Sequence, residues 1–451
     1  MRVVVLSGGS GKRLWPLSNE IRSKLFLKLL PAENGERESM IQRVCRQLDQ
    51  AGLLQNTTIV ANQNQVEILQ NHVGDQVHVL TEPYKRGTFL SVGLAASFFH
   101  SKQQEHMDET ICVIPADLFV EAEFYHLLHQ LPHILAKSGS ELALIGSTPY
   151  RPSSQYGYIV PKCTDSREYF SVSKFVEKPD EETAASLINS QALWNCGTFA
   201  FSLSFMLTHL QRNNLPAQYE ELIECYEKFP VTSFDEAIAE KTGHSIVVPY
   251  DKTWKDLGDW RVLSNYLGGS VIGHGEISGD SLQTHLINEL AYPIHVIGVS
   301  NIIVAASPDG ILVADKDRAN EIKSMLNDDR TPMFEEKRWG TIRVLDHSTT
   351  TAETLTRKIA ILAGKNTSYH FHQNRKEIWT ILSGTGELIL EGMKYALKAG
   401  DAVEIPHGAK HAVKATSPLE YIEIQIGSRL AEEDAARLTK SWEEAVRYLR
   451  E

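Results

Sequence analysis

The chain has 451 residues, with 45 Lys+Arg against 57 Asp+Glu, and a formal net charge of −12. Hydrophobic residues make up 42% and charged residues 23%, which excludes disorder over most of the length. The acidic balance excludes broad, non-specific binding to nucleic acid, and no window approaches the roughly 18 apolar residues of a membrane span.

Residues 1–265 open on MRVVVLSGG, which lacks the apolar run of a signal peptide. They alternate short apolar runs (RVVVLS, TTIVAN, VHVLTE, TICVIPAD, LALIGS) with stretches of helical spacing such as MIQRVCRQLDQAGL and VGLAASFFHS. Buried strands alternating with helices predict a mainly parallel α/β sheet, whose ligands sit at the carboxyl ends of the strands. Residues 266–330 are richer in Gly and Ser and carry short β-rich runs, which suits a β-helix-like connector. DRANEIKSMLNDD then predicts a helix leading into a polar linker. Residues 338–451 hold short strands broken by Gly, Pro and Asn (TIRVL, TLTRKIAIL, EIWTILSG, GELILEG, DAVEIP, EYIEIQIG), as in a small β-sandwich or barrel. The terminal EEDAARLTKSWEEAVRYLRE predicts a charged helix. That helix and the β-helix-like turns could support a homodimer or equally serve packing within the chain. The five cysteines (Cys45, Cys112, Cys163, Cys196, Cys225) form no CxxC pair and read as reduced thiols of a cytoplasmic protein.

The segment LSGGSGKRLWPLS follows the first strand directly. Gly8, Gly9 and Gly11 allow a tight turn that brings backbone N–H groups to anionic oxygens, and Lys12, Arg13 and Lys24 add positive charge. The spacing is neither that of a GxxxxGK[ST] phosphate loop nor that of a dinucleotide fingerprint. Asp117 and Asp256 each end or follow an apolar run, and carboxylates of this kind suit Mg²⁺.

GGSGKRLWPLS followed by RSKLFLKLL resembles the signature of the sugar-phosphate nucleotidyltransferases, most closely of guanylyltransferases acting on mannose 1-phosphate. Ser23 stands where the family usually has Pro, and Lys12 where Thr is commoner. TEPYKRGTFLSVGLAA, ICVIPAD, YGYI, FVEKPD, WNCGTFAF and TWKDLGDW resemble further family segments in the family's order, with Gly87 and Phe89 as departures. The resemblance implies a Rossmann-like, GT-A-like α/β domain with a mixed sheet over 1–265 and a left-handed β-helix-like connector over 266–330. It also implies Mg²⁺-dependent transfer of GMP from GTP to mannose 1-phosphate, giving GDP-mannose and pyrophosphate. Asp117 and Asp256 would hold the Mg²⁺, Arg13 would contact the pyrophosphate, and Lys24 would stabilise the α-phosphate under attack. Gly8, Gly9, Glu82, Pro83 and Arg86 would lie near the nucleotide. Lys178 would hold the sugar phosphate, and Gly157, Glu177 and Asn195 would bind sugar hydroxyls. Two rival readings stay open, a transferase for another nucleotide or hexose 1-phosphate and a regulatory protein that binds a sugar nucleotide.

Residues 364–384 and 400–411 place His370-x-His372, Glu377 and His411 among regularly spaced glycines. On a strand, His370 and His372 face one side, and three imidazoles with a carboxylate suit zinc or a divalent transition metal. These segments resemble the two cupin motifs and, by chain position, the isomerase module of bifunctional enzymes that interconvert mannose 6-phosphate and fructose 6-phosphate. Lys337-Arg338-Trp339-Gly340 resembles that module's R-P-W-G opening, and Arg375, Glu377 and Trp379 fall where its QxHxxRxEHW motif has Arg, Glu and Trp. His370 replaces the Gln of that motif, and Ile378 replaces a His, which is expected to remove a polar group beside the site. The resemblance implies an all-β cupin barrel over 338–451 that binds a metal. It is either an isomerase or a cupin without catalysis that serves packing or regulation.

Overall fold

The structure is a computed structural model that describes residues 1–8, 11–162, 166, 168–326, 332–349, 352–428, 430 and 434–449. It divides into two compact units. The first comprises Met1–Leu14, Ser23–Val66 and His72–Gly268, and the second comprises Trp15–Arg22, Glu67–Asn71 and Gly269–Glu451.

The first unit is built on a nine-stranded sheet: β1 (Arg2–Ser7), β2 (Thr57–Asn62), β3 (His78–Glu82), β4 (Thr110–Pro115), β5 (Leu142–Ser147), β6 (Tyr158–Lys162), β7 (Phe170–Val176), β8 (Leu193–Ser202) and β9 (Ser245–Tyr250), in the order β3-β2-β1-β4-β8-β5-β9-β7-β6. Val3, Val4 and Val5 are fully buried, as expected of a strand covered on both faces. The helix Met40–Gln50 begins at a capping box of Ser39 and Gln42 and buries Ile41, Val44 and Leu48. The helix Thr88–Ser101 is buried almost all round, packed into the core with Leu144, Phe201, Met206 and Leu210.

The parallel expectation holds for β3-β2-β1-β4 and for β5 with β9. It does not hold for β8, which runs antiparallel to β4 and β5, nor for the antiparallel pair β6 and β7. A strand buried on both faces reads as one apolar run in either direction, so composition leaves its direction open. The reversal has a consequence for the site. β1, β3 and β4 end at Ser7, Glu82 and Pro115, and antiparallel β8 brings its beginning, Asn195, opposite Gly146 near the end of β5. A short strand, Trp254–Asp256, pairs with Leu118–Val120 so that Asp256 lies opposite Leu118, next to Asp117.

In the second unit, strands Val271–Gly273, His285–Asn288 and Ile302–Ser307 stack in parallel, as do Gly275–Ile277 and Ile294–Val296. Such stacking of short strands is the expected β-helix-like pattern, here around Leu286, Val296 and Val304. The helix expected in DRANEIKSMLNDD is a 3-10 turn, Ala319–Glu321, followed by a single α turn, Ile322–Met325. The linker residues 327–331 lie outside the described residues.

The C-terminal part is a β-sandwich. One sheet has six strands: Phe334–Lys337, Gly340–Thr349, Glu353–Ile361, Leu419–Gly427, Arg375–Ser383 and Ala402–Ile405. The other has five: Met393–Lys398, Thr385–Leu390, His411–Ala415, Tyr369–His372 and Ala435–Thr439. Trp379, Ile381, Leu388, Val413 and Tyr421 form its core. Gly340 has φ +153°, and a Cβ there would stand 1.9 Å from the Ala360 carbonyl oxygen, so the strand pairing admits only glycine. The expected C-terminal helix is confined to Trp442–Val446, capped by Ser441. Ala435–Thr439 is instead a strand paired with Tyr369–His372, because an open sheet edge offers hydrogen bonds that outweigh a weak helical pattern. No helix among the described residues is long and apolar enough to cross a membrane. Cys45, Cys112, Cys196 and Cys225 are free thiols, and Cys163 lies outside the described residues.

Candidate active site and metal centre

In the first unit, Lys24, Asp117 and Asp256 converge. Lys24 Nζ lies 2.6 Å from Asp117 Oδ2 and 3.2 Å from Asp256 Oδ1. Burial works against the charge on Lys24, but the two carboxylates outweigh it and raise its pKa. Burial holds Asp256 above the ordinary carboxylate range despite the attraction of Lys24. Beside them, a Cβ on Gly258 would stand 2.8 Å from Asp256 Oδ1 and 3.1 Å from Lys24 Nζ, so glycine keeps this space open. Two carboxylates of the hard-oxygen type, around a cradle that a methyl group would fill, fit a Mg²⁺ ion. Arg13, on the turn after β1, donates to Gln155 Oε1 at 3.2 Å.

The expected sugar-binding residues also come together. Asn195 N donates to the Gly157 carbonyl at 2.8 Å. A Cβ on Gly157 would stand 2.6 Å from Glu177 Oε2 and 3.4 Å from Asn195 Cβ. Lys178 pairs with Glu177 while its side chain stays 60% exposed, a reachable cation beside the carboxylate. Its backbone φ of +40° is uncommon for a side-chain-bearing residue. Two further carboxylates belong to this cluster and were not anticipated. Asp235 Oδ1 accepts from Asn195 Nδ2 at 2.8 Å, and Glu240 Oε1 accepts from Glu177 N at 3.1 Å. Burial, and then the charge of Glu177, push Asp235 up to about 6. Asp235 opens a π-helical turn, Asp235–Ala239, a rare geometry that gathers at functional sites. The closely spaced carboxylates Asp235, Glu236 and Glu240 are its only sequence signal.

The expected nucleotide-binding residues are more dispersed in character. Gly8 is exposed at the end of β1, with open space around it, and Gly9 lies outside the described residues. Glu82 ends β3, but its carboxylate is buried and accepts from Tyr226 Oη at 2.7 Å and Ser91 Oγ at 2.9 Å. Burial raises its pKa. Pro83 follows it, and the Arg86 guanidinium stacks over Tyr84 at 5.9 Å. Gly87 has φ +87°, and a Cβ there would meet the Thr232 carbonyl oxygen at 2.2 Å, which accounts for this departure from the family pattern.

In the second unit, His370, His372 and His411 bring one ring nitrogen each within 4.8 Å of the others. His370 and His411 are opposite each other on paired strands. Glu377 Oε1 lies 3.1 Å from His372 Nε2, and Glu377 Oε2 lies 3.6 Å from His411 Nε2. Nδ1 of His370 donates to the Ser368 carbonyl at 2.8 Å, and Nδ1 of His411 to that of Ala409 at 2.9 Å. A carbonyl only accepts, so each Nδ1 carries a proton when the ring is neutral and Nε2 keeps its lone pair. Burial, followed by the neighbouring His411 and His372, drives the pKa of His370 well down and keeps the ring neutral. Burial alone would raise Glu377, but His372, in hydrogen-bond contact, and the neighbouring His411 hold it well below the usual range. Burial also lowers His372, whereas Glu377 overrides burial and raises His411. Three imidazoles and an ionised carboxylate, converging in a buried site, fit zinc or a divalent transition metal.

Behind Glu377 stands a polar layer that the sequence reading missed. Gln425 Nε2 donates to Glu377 Oε1 at 3.0 Å and to Glu423 Oε1 at 2.7 Å, and Arg357 Nε donates to Glu423 at 2.9 Å. Trp379 Nε1 donates to Glu377 Oε2 at 3.1 Å. The expectation for Ile378 needs correction. Strand alternation puts it on the face opposite Glu377, and the adjoining cavity of about 360 Å³ is lined by Arg375, Glu377 and Trp379 but not by Ile378. The exchange of His for Ile therefore leaves the site's polarity intact.

Residues 2–267 match the nucleotidyl transferase family, residues 283–328 the MannoseP isomerase/GMP-like beta-helix domain, and residues 328–440 the mannose-6-phosphate isomerase C-terminal family. A putative mannose-1-phosphate guanylyltransferase of Vibrio cholerae serotype O1 is 29% identical to this chain, over 96% of it and 98% of the relative. The xanthan biosynthesis protein XanB of Xanthomonas campestris pv. campestris (strain B100) is 30% identical, over 97% and 98%. A crystal structure described as mannose-1-phosphate geranyltransferase from Thermus thermophilus superposes with a TM-score of 0.59 at 28% identity, covering 72% of this chain and 97% of that one. The chain therefore belongs to the nucleotidyl transferase family, with a mannose-6-phosphate isomerase C-terminal domain following the transferase domain.

Proposed function

We infer that the chain transfers GMP from GTP to mannose 1-phosphate, giving GDP-mannose and pyrophosphate. The observation that carries this reading is the meeting of Lys24 with Asp117 and Asp256, where Asp117 follows β4 and Asp256 ends the short strand Trp254–Asp256. The names of the full-length relatives supply the substrates. A phosphate oxygen of the sugar attacks the α-phosphorus, a new P–O bond forms, and the bond to the β-phosphate bridge breaks. The sugar phosphate is already ionised near neutral pH, so no general base is required. Asp117 and Asp256 would hold Mg²⁺, which when bound neutralises phosphate charge. Lys24 and Arg13 supply further positive charge to the α-phosphate and the departing pyrophosphate. Lys178 holds the phosphate of the incoming sugar, and Glu177, Asn195 and Asp235 face its hydroxyls. In this reading residues 1–265 form the transferase domain, 266–330 the connector and 338–451 the cupin. Pyrophosphate release, measured with four nucleoside triphosphates against mannose, glucose and galactose 1-phosphates, tests it. GTP with mannose 1-phosphate should be the fastest pair. A faster different pair would reassign the substrates, and tight nucleotide binding without turnover would favour a regulatory protein.

A specific observation favours a second activity. The cluster of His370, His372, His411 and Glu377 opens on a cavity that Lys337, Arg338 and Arg437 also line, so a sugar phosphate would find cations around it. This supports interconversion of mannose 6-phosphate and fructose 6-phosphate, with the metal, when bound, polarising the carbonyl. Incubation with mannose 6-phosphate alone, with the metal varied, tests it. No fructose 6-phosphate with any metal would leave a cupin without catalysis.

A further inference from the structure

His372 differs from its two partners in the metal centre. The Nδ1 atoms of His370 and His411 are fixed by backbone carbonyls, but His372 Nδ1 is buried and has no hydrogen-bond partner among the described residues. The nearest carboxylate oxygen among the described residues is Asp434 Oδ2, 3.9 Å away, itself buried and without a hydrogen-bond partner among them. Asp434 is held in place through its other oxygen, Oδ1, which accepts from Gln373 N at 3.2 Å, Asn374 N at 3.0 Å and Asn374 Nδ2 at 2.8 Å. Its position follows from strand register, since Ala435 lies opposite His372 and Asp434 precedes it. Both side chains are nearly sealed, at 4% and 3% exposed.

We propose that Asp434 is a positioning residue for the cupin metal, accepting the Nδ1 proton of His372 when Nε2 of that ring binds the ion. Nε2 of His372 already faces the centre, 3.1 Å from His370 Nε2. To offer a lone pair there, the neutral ring must carry its proton on Nδ1, and Asp434 Oδ2 is the acceptor on that side. The separation exceeds hydrogen-bond range by about 1 Å, which a small rotation of the ring closes. Arg375 Nε, 3.8 Å from the same oxygen, is the competing partner. If Asp434 served only to balance Arg375, its loss would change stability and leave metal affinity alone.

The proposal rests on the metal-binding reading of the cupin, and its test separates the two. Zn²⁺ and Co²⁺ affinities of the full chain and of Asp434→Asn are measured by competition with a chromophoric chelator. The melting temperatures of the metal-free proteins are compared alongside. Asparagine keeps the Oδ1 acceptor but presents an amide where Oδ2 stood. With excess Mg²⁺ present to fill the site at Asp117 and Asp256, the expected result is one Zn²⁺ or Co²⁺ per chain in the unsubstituted protein, and affinity weaker by about 10–100-fold in Asp434→Asn with an unchanged metal-free melting temperature. Heteronuclear NMR of the Zn²⁺-loaded unsubstituted chain is the second measurement, and it decides the matter should the variant not fold. The His372 ring should carry its proton on Nδ1, with a downfield, hydrogen-bonded resonance. No stoichiometric metal in the unsubstituted chain would overturn the metal reading and this proposal together. Metal bound with equal affinity in Asp434→Asn, or His372 protonated at Nε2 in the loaded chain, would overturn the role of Asp434 alone.

Discussion

Lys24 and Asp256 stand 232 residues apart in the chain and meet at 3.2 Å, Nζ to Oδ1. With Asp117 on the other side of the ammonium, the three groups balance charge in a site where none is well solvated. Lys24→Gln removes the positive charge and leaves two carboxylates facing each other. Pyrophosphate release should fall about 100–1000-fold in kcat, the range for losing one electrostatic contact to a developing charge. Asp256→Asn should lose transfer to a similar degree. Both variants should keep the metal content of the cupin, which atomic absorption would check. Normal transfer by Asp256→Asn would remove Asp256 from the metal site.

Gly258 touches no substrate in this reading, yet its missing side chain shapes the site. An alanine Cβ would press within 2.8 Å of Asp256 Oδ1 and 3.1 Å of Lys24 Nζ. Both are side-chain ends that can move, so the fold should survive with its melting temperature nearly unchanged. The carboxylate and the ammonium would be displaced by a fraction of an ångström to an ångström. Misplacement on that scale costs up to about 100-fold in rate. Gly258→Ala should therefore lose at least tenfold in kcat with native circular dichroism, and wild-type kinetics would show that the cradle does not need its present width.

Asp235 links the sugar cluster to pH. Its carboxyl is pushed up to about 6 by burial and by Glu177. A carboxyl raised above its unfolded value favours the folded state in its neutral form. That stability is fully present below about pH 4 and is lost as pH rises through about 6. Asp235→Asn removes the titration while its Oδ1 can still accept from Asn195 Nδ2. Urea unfolding of the two proteins should give a stability difference that grows in favour of the variant between pH 4 and 7, to at most about 3 kcal/mol. The KM for mannose 1-phosphate should rise in the variant. A difference independent of pH would show that Asp235 keeps an ordinary carboxylate pKa.

Where sequence and structure part, the cause can be located in particular residues. The Gly-rich turn, Asp117 and Asp256 stand out in the sequence because each ends or follows an apolar run, where sheet ends collect ligands, whereas Asn195, near the beginning of β8, is offered only by the family resemblance. The antiparallel direction of β8 was not legible, since its burial pattern suits either direction. In the cupin, the strand Leu419–Gly427 inverts the usual rule. Tyr421, Glu423 and Gln425 are buried at 2%, 4% and 0% exposure, while Ile422, Ile424 and Ile426 face the less buried side. Alternation marks the period but not which face turns inward, and a polar face turns inward where a site must be built. Asp434 has no signal of its own in EEDAARLTK, whose spacing suits a helix, and only the strand pairing of Ala435 with His372 brings it to the histidine cluster.

His411 is the ligand on which the metal assignment is most exposed to test. It is 1% exposed, its Nδ1 is tied to Ala409, and its ring lies 4.3 Å from that of His370, centroid to centroid. Removing it takes one of three imidazoles, and the remaining pair with Glu377 would make a weaker site. His411→Ala should bind Zn²⁺ or Co²⁺ more weakly than the full chain by more than the roughly 10–100-fold expected of a supporting residue. The cavity left against Trp379 should lower the cupin's stability, by about 1–3 kcal/mol for a lost buried ring of this kind. Transfer should be spared, because none of the residues assigned to it lies in 338–451. Chelator treatment of the unsubstituted chain, followed by dialysis into Mg²⁺, should reproduce the same split, with any isomerase activity lost and guanylyl transfer kept. Stoichiometric metal at full affinity in His411→Ala would overturn the assignment, and loss of transfer on chelation that Mg²⁺ fails to restore would tie the two activities to one metal.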